Sequence, residues 1–127
     1  MVDVTDATFE RDILERSEQV PVVVDLWAEW CGPCRTLGPI LEKVIAETEG
    51  KVVLAKVNTD ENPQLTQAFQ VQGIPAVHAV KDRTPVASFV GAQPEAEVRR
   101  FVQALLPTAE EEQAVALIAA GDEAPLR

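Results

Sequence analysis

Apolar and polar positions along the chain follow two alternating rhythms. Val20-Pro21-Val22-Val23-Val24-Asp25-Leu26-Trp27 is a nearly continuous β-branched and apolar run, which predicts a strand buried on both faces. From Pro33 to Thr48, Leu37, Ile40, Leu41, Val44 and Ile45 recur at helical spacing with Glu and Lys on the other face, predicting a long amphipathic helix. Thr8 to Arg16 reads as a short amphipathic helix, Lys51 to Val57 as a second buried strand, and Pro63 to Phe69 as a helix opening on proline. Ala76–Val80 and Val86–Val90 read as strands joined by the polar turn Lys81-Asp82-Arg83-Thr84-Pro85, and a helix from about Pro94 to Leu106 follows. Pro39, inside the long helix, removes a backbone hydrogen bond and predicts a kink. Strand–helix alternation followed by a hairpin and a helix predicts an α/β domain, a central mixed β-sheet flanked by helices.

Candidate chemistry sits where the first strand hands over to the long helix. Trp30-Cys31-Gly32-Pro33-Cys34 holds the chain's 2 cysteines. Gly32 and Pro33 open the helix, with Pro33 near the first-turn position where its missing N–H costs nothing. Cys31 falls at the cap, where unpaired N–H groups and the positive end of the helix dipole favour a thiolate. Cys34 lies one turn further in, close enough to bridge and expected to be more enclosed, so Cys31 attacks and Cys34 resolves. A structural zinc site wants four ligands, whereas the chain offers these cysteines and His78, far off in sequence. A purely structural disulfide closing so small a ring removes little unfolded-state entropy. A reversible redox pair fits better than either.

Two charges interrupt the apolar strands: Asp25 within Val22–Leu26, and Lys56 within Val52–Val57. Burying either alone is costly, and if the strands are neighbours the two partly compensate each other. Desolvation raises the Asp25 pKa toward the range of a general base; a buried ion pair kept for fold specificity is the other use of such a couple. Pro75, in Gly73-Ile74-Pro75-Ala76, reads from its residues as an ordinary turn proline ahead of a strand. His78 alternates along its strand as a packed or surface residue rather than a ligand. Trp30 is expected to border Cys31 at the surface, Trp27 to pack beneath it, and Gly91 to allow close backbone approach at a substrate surface.

Composition narrows the setting. Apolar residues make up 46% of the chain, enough for one compact core, with no repeat and no apolar run long enough to span a membrane. The first residues, Met1 to Asp6, show neither a basic region nor an apolar signal core, and cysteines confined to one motif fit a reducing cytoplasm. The net charge of −10, with 5 acidic residues and 1 basic residue between positions 108 and 127, argues against nucleic-acid binding.

The segment from Val22 to Arg35, VVVDLWAEWCGPCR, resembles the active-site segment of the thioredoxin family. Lys56 to Pro63 resembles that family's third strand and following loop, Gly73-Ile74-Pro75 its cis-proline loop, and Val90-Gly91-Ala92 the end of its last strand. The resemblance runs from about Val4 to Leu106 and implies a thioredoxin fold, with an activity of protein disulfide reduction through Cys31 and Cys34. It implies that Asp25 accepts or relays the proton of Cys34, that Lys56 modulates it, and that Ile74–Pro75 is cis and stands against the cysteine pair. The backbone of Ile74 then pairs with an extended substrate segment, on a surface made with Trp30, Gly32, Pro33, Pro75 and Gly91. The Gly-Pro pair between the cysteines resembles the reducing members of the superfamily. No bound cofactor is implied, since electrons come from NADPH through a flavin-containing thioredoxin reductase. Arg35, Leu26 and Ala76 depart from the family's commonest residues, and the late turn lacks glycine.

The organisation expected is a thioredoxin domain over residues 1–107 and a helical C-terminal extension over 108–127. In the latter, Thr108-Ala109-Glu110-Glu111 reads as a capping box, Ala114 to Ala120 keeps helical apolar spacing, and Gly121 reads as a stop. With Gly91-Ala92-Gln93-Pro94-Glu95, this tail resembles thioredoxin-like co-chaperones that carry tetratricopeptide-type repeats. An alternative function follows: a redox-active co-chaperone domain that binds unfolding or oxidation-prone clients and passes them to chaperone machinery.

Overall fold

A computed structural model of the chain describes residues 1–107. Five strands form one mixed sheet: β1 (Val2–Asp3), β2 (Val22–Trp27), β3 (Val53–Asn58), β4 (Ala76–Lys81) and β5 (Thr84–Val90), in the order β1-β3-β2-β4-β5. β1, β3 and β2 run parallel, while β4 and β5 are antiparallel to their neighbours. The helices are α1 (Glu10–Glu15), extended by a tighter turn over Arg16–Glu18, α2 (Gly32–Ala46), α3 (Pro63–Ala68) and α4 (Glu95–Gln103). This is the α/β arrangement expected from the alternating pattern, and it is consistent with the thioredoxin fold.

Because successive strand residues face opposite sides, the sheet carries two cores. Val23, Leu54, Val77 and Ala79 meet Leu37 and Leu41 of α2 and Val98 and Val102 of α4. Val22, Val24, Leu26, Ala55 and Val57 meet Ile13 of α1 and Leu65 of α3. Phe89 and Phe101 stack edge to face with centroids 5.0 Å apart. His78, half-buried, lies 4.9 Å from the Phe69 ring, a packed residue as read from its alternation.

Element ends moved where backbone geometry overrode pattern. β2 starts at Val22, after Pro21, whose carbonyl accepts the Val53 N–H at 3.1 Å. α2 runs unbroken through Pro39. α1 is wound more widely than an α-helix, since the Arg16 N–H reaches the Arg11 carbonyl. β1 had no apolar rhythm to announce it, being two exposed residues. The expected five-residue turn contracts to Asp82 and Arg83, both left-handed (φ 49° and 67°), which suits the twist of a tight hairpin. Without glycine, this turn is held from outside: Asp82 N–H donates to the Ser17 carbonyl and Arg83 N–H to Ser17 Oγ, each at 2.8 Å. The Arg83 guanidinium also pairs with Glu18 and Glu10. The extension expected over 108–127, with the capping box and helix read there from the sequence, lies outside the described residues.

Leu37 joins α2 to the sheet with no exposed surface. Leu37→Ala is expected to destabilise the protein by about 3 kcal/mol in urea unfolding, through lost burial and the cavity left behind.

Candidate active site

The junction between β2 and α2 places the cysteines. Cys31 occupies the N-cap of α2 with extended backbone (φ −89°, ψ 105°), and its Sγ accepts the Cys34 N–H at 3.2 Å. Pro33 falls in the first turn, as its missing N–H allows. Cys31 and Cys34 form a disulfide, with Cα atoms 5.3 Å apart. The expected difference in enclosure is absent: Cys31 is 3% and Cys34 6% exposed, because both sulfurs sit in the loop–helix junction against Ala28, Trp27 and Ile74. What separates the two is position on the helix, the cap sulfur alone accepting an end N–H.

The cis-proline loop stands where the resemblance put it. Ile74–Pro75 is cis, and Ile74 packs against the cysteine cluster. Gly91 donates its N–H to the Pro75 carbonyl at 2.8 Å, fastening the end of β5 to this loop. A Cβ at Gly91 would meet no atom of this chain within 4 Å, and its φ of +91° is a backbone conformation that favours glycine. Gly32 likewise faces open space. Trp30 is 70% exposed, with its Nε1–H donating to Asp60 Oδ2 at 2.9 Å, a partner the sequence reading did not include. Trp27 is half-buried and packs beneath the pair.

Asp25 is buried at 2% exposure, in register with Lys56 of β3 and Val77 of β4. Its Oδ1 has no hydrogen-bond partner among the described residues. Burial pushes the carboxyl up to about 6; the Lys56 ammonium pulls it back in part, and Glu42 pushes it further up. The strands are neighbours, yet the charges do not close into an ion pair. Lys56 Nζ instead binds Glu42 Oε2 at 3.3 Å and lies 5.6 Å from the centre of the Trp27 ring. Glu42 was missed because a glutamate on the polar face of α2 carries no signal of its own. A surface cleft of about 370 Å³ lined by Trp27, Ala28, Glu29, Cys34, Arg35 and Lys56 links the Cys34 side to the lysine. Among the described residues, no cluster of three His, Cys, Asp or Glu side chains could hold a metal ion, and no helix is long and apolar enough to cross a membrane.

A sulfur pair at a helix N-terminus, beside a cis-proline loop, suits reversible exchange with another disulfide. The Thioredoxin family profile matches residues 1–104. The chain belongs to the thioredoxin family. It is 43% identical over 104 residues to the thioredoxin of Rhodospirillum rubrum, covering 82% of this chain and 98% of that one. It is 41% identical over 104 residues to the thioredoxin of Pseudomonas aeruginosa, covering 82% and 94%. Against the bifunctional thioredoxin reductase/thioredoxin of Mycobacterium leprae it is 39% identical over 106 residues, 84% of this chain and 23% of that protein. Thioredoxins are thiol-disulfide oxidoreductases, and this chain is accordingly a protein disulfide reductase with a redox-active disulfide. Nothing in these relationships points to the repeat-bearing co-chaperones.

The unpaired carboxyl has a measurable consequence. Unfolding returns Asp25 from about 6 to its ordinary value of 3.8, so the unfolded chain gives up this proton first and rising pH favours unfolding. Below about pH 4 both states hold the proton and there is no penalty; the penalty grows to roughly 3 kcal/mol as pH passes about 6. Asp25→Asn is therefore expected to gain stability over the native chain between pH 4 and 6 and to keep that gain above. Denaturant unfolding across this range tests it, and a gap that does not change with pH would contradict it.

Proposed function

We propose that Cys31 is the nucleophile and Cys34 the resolving thiol. The observation that carries this is the position of Cys31 at the cap of α2, its sulfur accepting the Cys34 N–H at the positive end of the helix. The Cys31 thiolate attacks one sulfur of a target disulfide: a Cys31–target bond forms, the target's own S–S bond breaks, and its other sulfur leaves as a thiolate. Cys34 then gives its proton to Asp25 and attacks the Cys31 sulfur. The mixed disulfide breaks, Cys31–Cys34 forms, and the target departs with two electrons gained. Lys56 modulates the proton affinity of Asp25. The buried, unpaired carboxyl of Asp25 supports its part as acceptor, since it titrates near neutrality.

The target lies over Trp30, Gly32, Pro33, Ile74, Pro75 and Gly91, its extended backbone pairing with that of Ile74. The exposed Trp30 and Val90, at 70% and 63%, support an apolar contact surface there. Electrons return from NADPH through a thioredoxin reductase, a partnership favoured by the printed name of the M. leprae relative, which joins the two activities. The working domain is residues 1–107, with 108–127 as an extension, and the setting is the cytoplasm, where a lone redox pair is kept reduced.

Insulin reduction driven by NADPH and the organism's own thioredoxin reductase is expected to turn over rapidly. Turnover with dithiothreitol but not with the reductase would remove that partner. Cys34→Ser is expected to accumulate a mixed disulfide with insulin, whereas Cys31→Ser traps none; the opposite pattern would reverse the two roles.

A further inference from the structure

Lys56 turns away from the acid it stands beside. Asp25 and Lys56 are direct register partners on parallel β2 and β3, and both belong to the sheet face covered by α2 and α4. Even so, the lysine makes its ion pair with Glu42 of α2, 3.3 Å away. Gly38, one turn before Glu42, faces the ammonium, and a Cβ there would lie 3.6 Å from Lys56 Nζ, an ordinary contact. On its other side the ammonium faces the Trp27 ring, with the centroid at 5.6 Å. The lysine side chain is 19% exposed and that of Glu42 is 42% exposed, so the pair reaches toward solvent, whereas the Asp25 carboxyl is buried.

We infer that Glu42 is a positioning residue for the proton transfer: its carboxylate anchors the Lys56 ammonium, leaving the Asp25 carboxyl unpaired and free to exchange a proton. This rests on the reading of Asp25 as acceptor for Cys34. The surroundings leave few competing charges. β3 supplies Lys56, α2 supplies Glu42 and the cysteine pair, and Glu29 and Arg35 line the cleft on the Cys34 side. β4 presents Val77, and the buried residues of α4 are Val98 and Val102. Without the Glu42 charge, the ammonium is freed to act more strongly on the Asp25 carboxyl, which it already pulls down. The acid would then hold its proton less tightly and serve less well as a base.

Carbon NMR of the Asp25 side-chain carboxyl in the oxidised protein, titrated from about pH 4 to 9, tests this without turnover. Glu42→Gln is expected to move the midpoint down by about half a unit or more, and the acid limb of the disulfide-exchange profile by the same amount. In a Lys56→Met background the Glu42→Gln shift is expected to fall below about half its value, because no cation remains to reposition. An unmoved midpoint would overturn the inference. So would an equal shift with and without Lys56, which would mean that Glu42 acts through its own charge alone. Either failure is distinct from failure of the acceptor role, which Asp25→Asn exchange rates read separately.

Discussion

An ionisable carboxyl buried in mid-sheet, with an oxygen that no described residue bonds, is the constraint around which this site is arranged. A strand interior normally refuses such a group, because desolvating the charge costs several kcal/mol unless a partner is close. Here the natural partner, Lys56, is close enough to be felt and is fastened to Glu42 on the helix above. Burial outweighs the lysine, and the acid holds its proton to about pH 6. On the proposed reading, that poise lets it take up the proton of Cys34 at the moment the second sulfur must attack.

The sulfur chemistry depends on a different consequence of the same junction. β2 ends at Trp27 and α2 begins at Gly32, so the short loop between them carries Cys31 to the helix end. There the unsatisfied N–H groups are what a sulfur anion needs. The outer layers keep this junction in place without entering the chemistry. Lys43 and Arg99 join α2 to α4 through Glu95 and Glu47, on exposed surface where such pairs contribute modestly. The hydrogen bond from Gly91 to the Pro75 carbonyl fixes the cis-proline loop opposite the cysteines.

Much of this was legible in the residues. β2, β3 and α2 announce themselves by period, and Cys31, Gly32 and Pro33 mark the cap because each has a reason to be there. Asp25 and Lys56 stood out because charge does not belong in such strands. What escaped were features decided by contacts distant in sequence. β1 is two exposed residues that exist as a strand only because β3 offers an edge. The hairpin turn needs no glycine because Ser17, 65 residues before Asp82 and 66 before Arg83, holds its backbone. The partner of Lys56 was read as Asp25 because both charges stood out in apolar strands while the helix above was not legible; Glu42 becomes visible only once α2 is laid on the sheet. The equal enclosure of the two sulfurs was equally hidden, since it depends on Ile74 arriving from another loop.

The most direct test of the central claim is the pH dependence of the resolving step, followed through Trp27 and Trp30 fluorescence after rapid mixing with a mixed-disulfide donor. In the native chain the rate is expected to rise through an apparent pKa near 6, and in Asp25→Asn that rise disappears and the neutral-pH rate falls by roughly 100-fold. Superimposable profiles for the two proteins would contradict a role for Asp25 in moving the Cys34 proton.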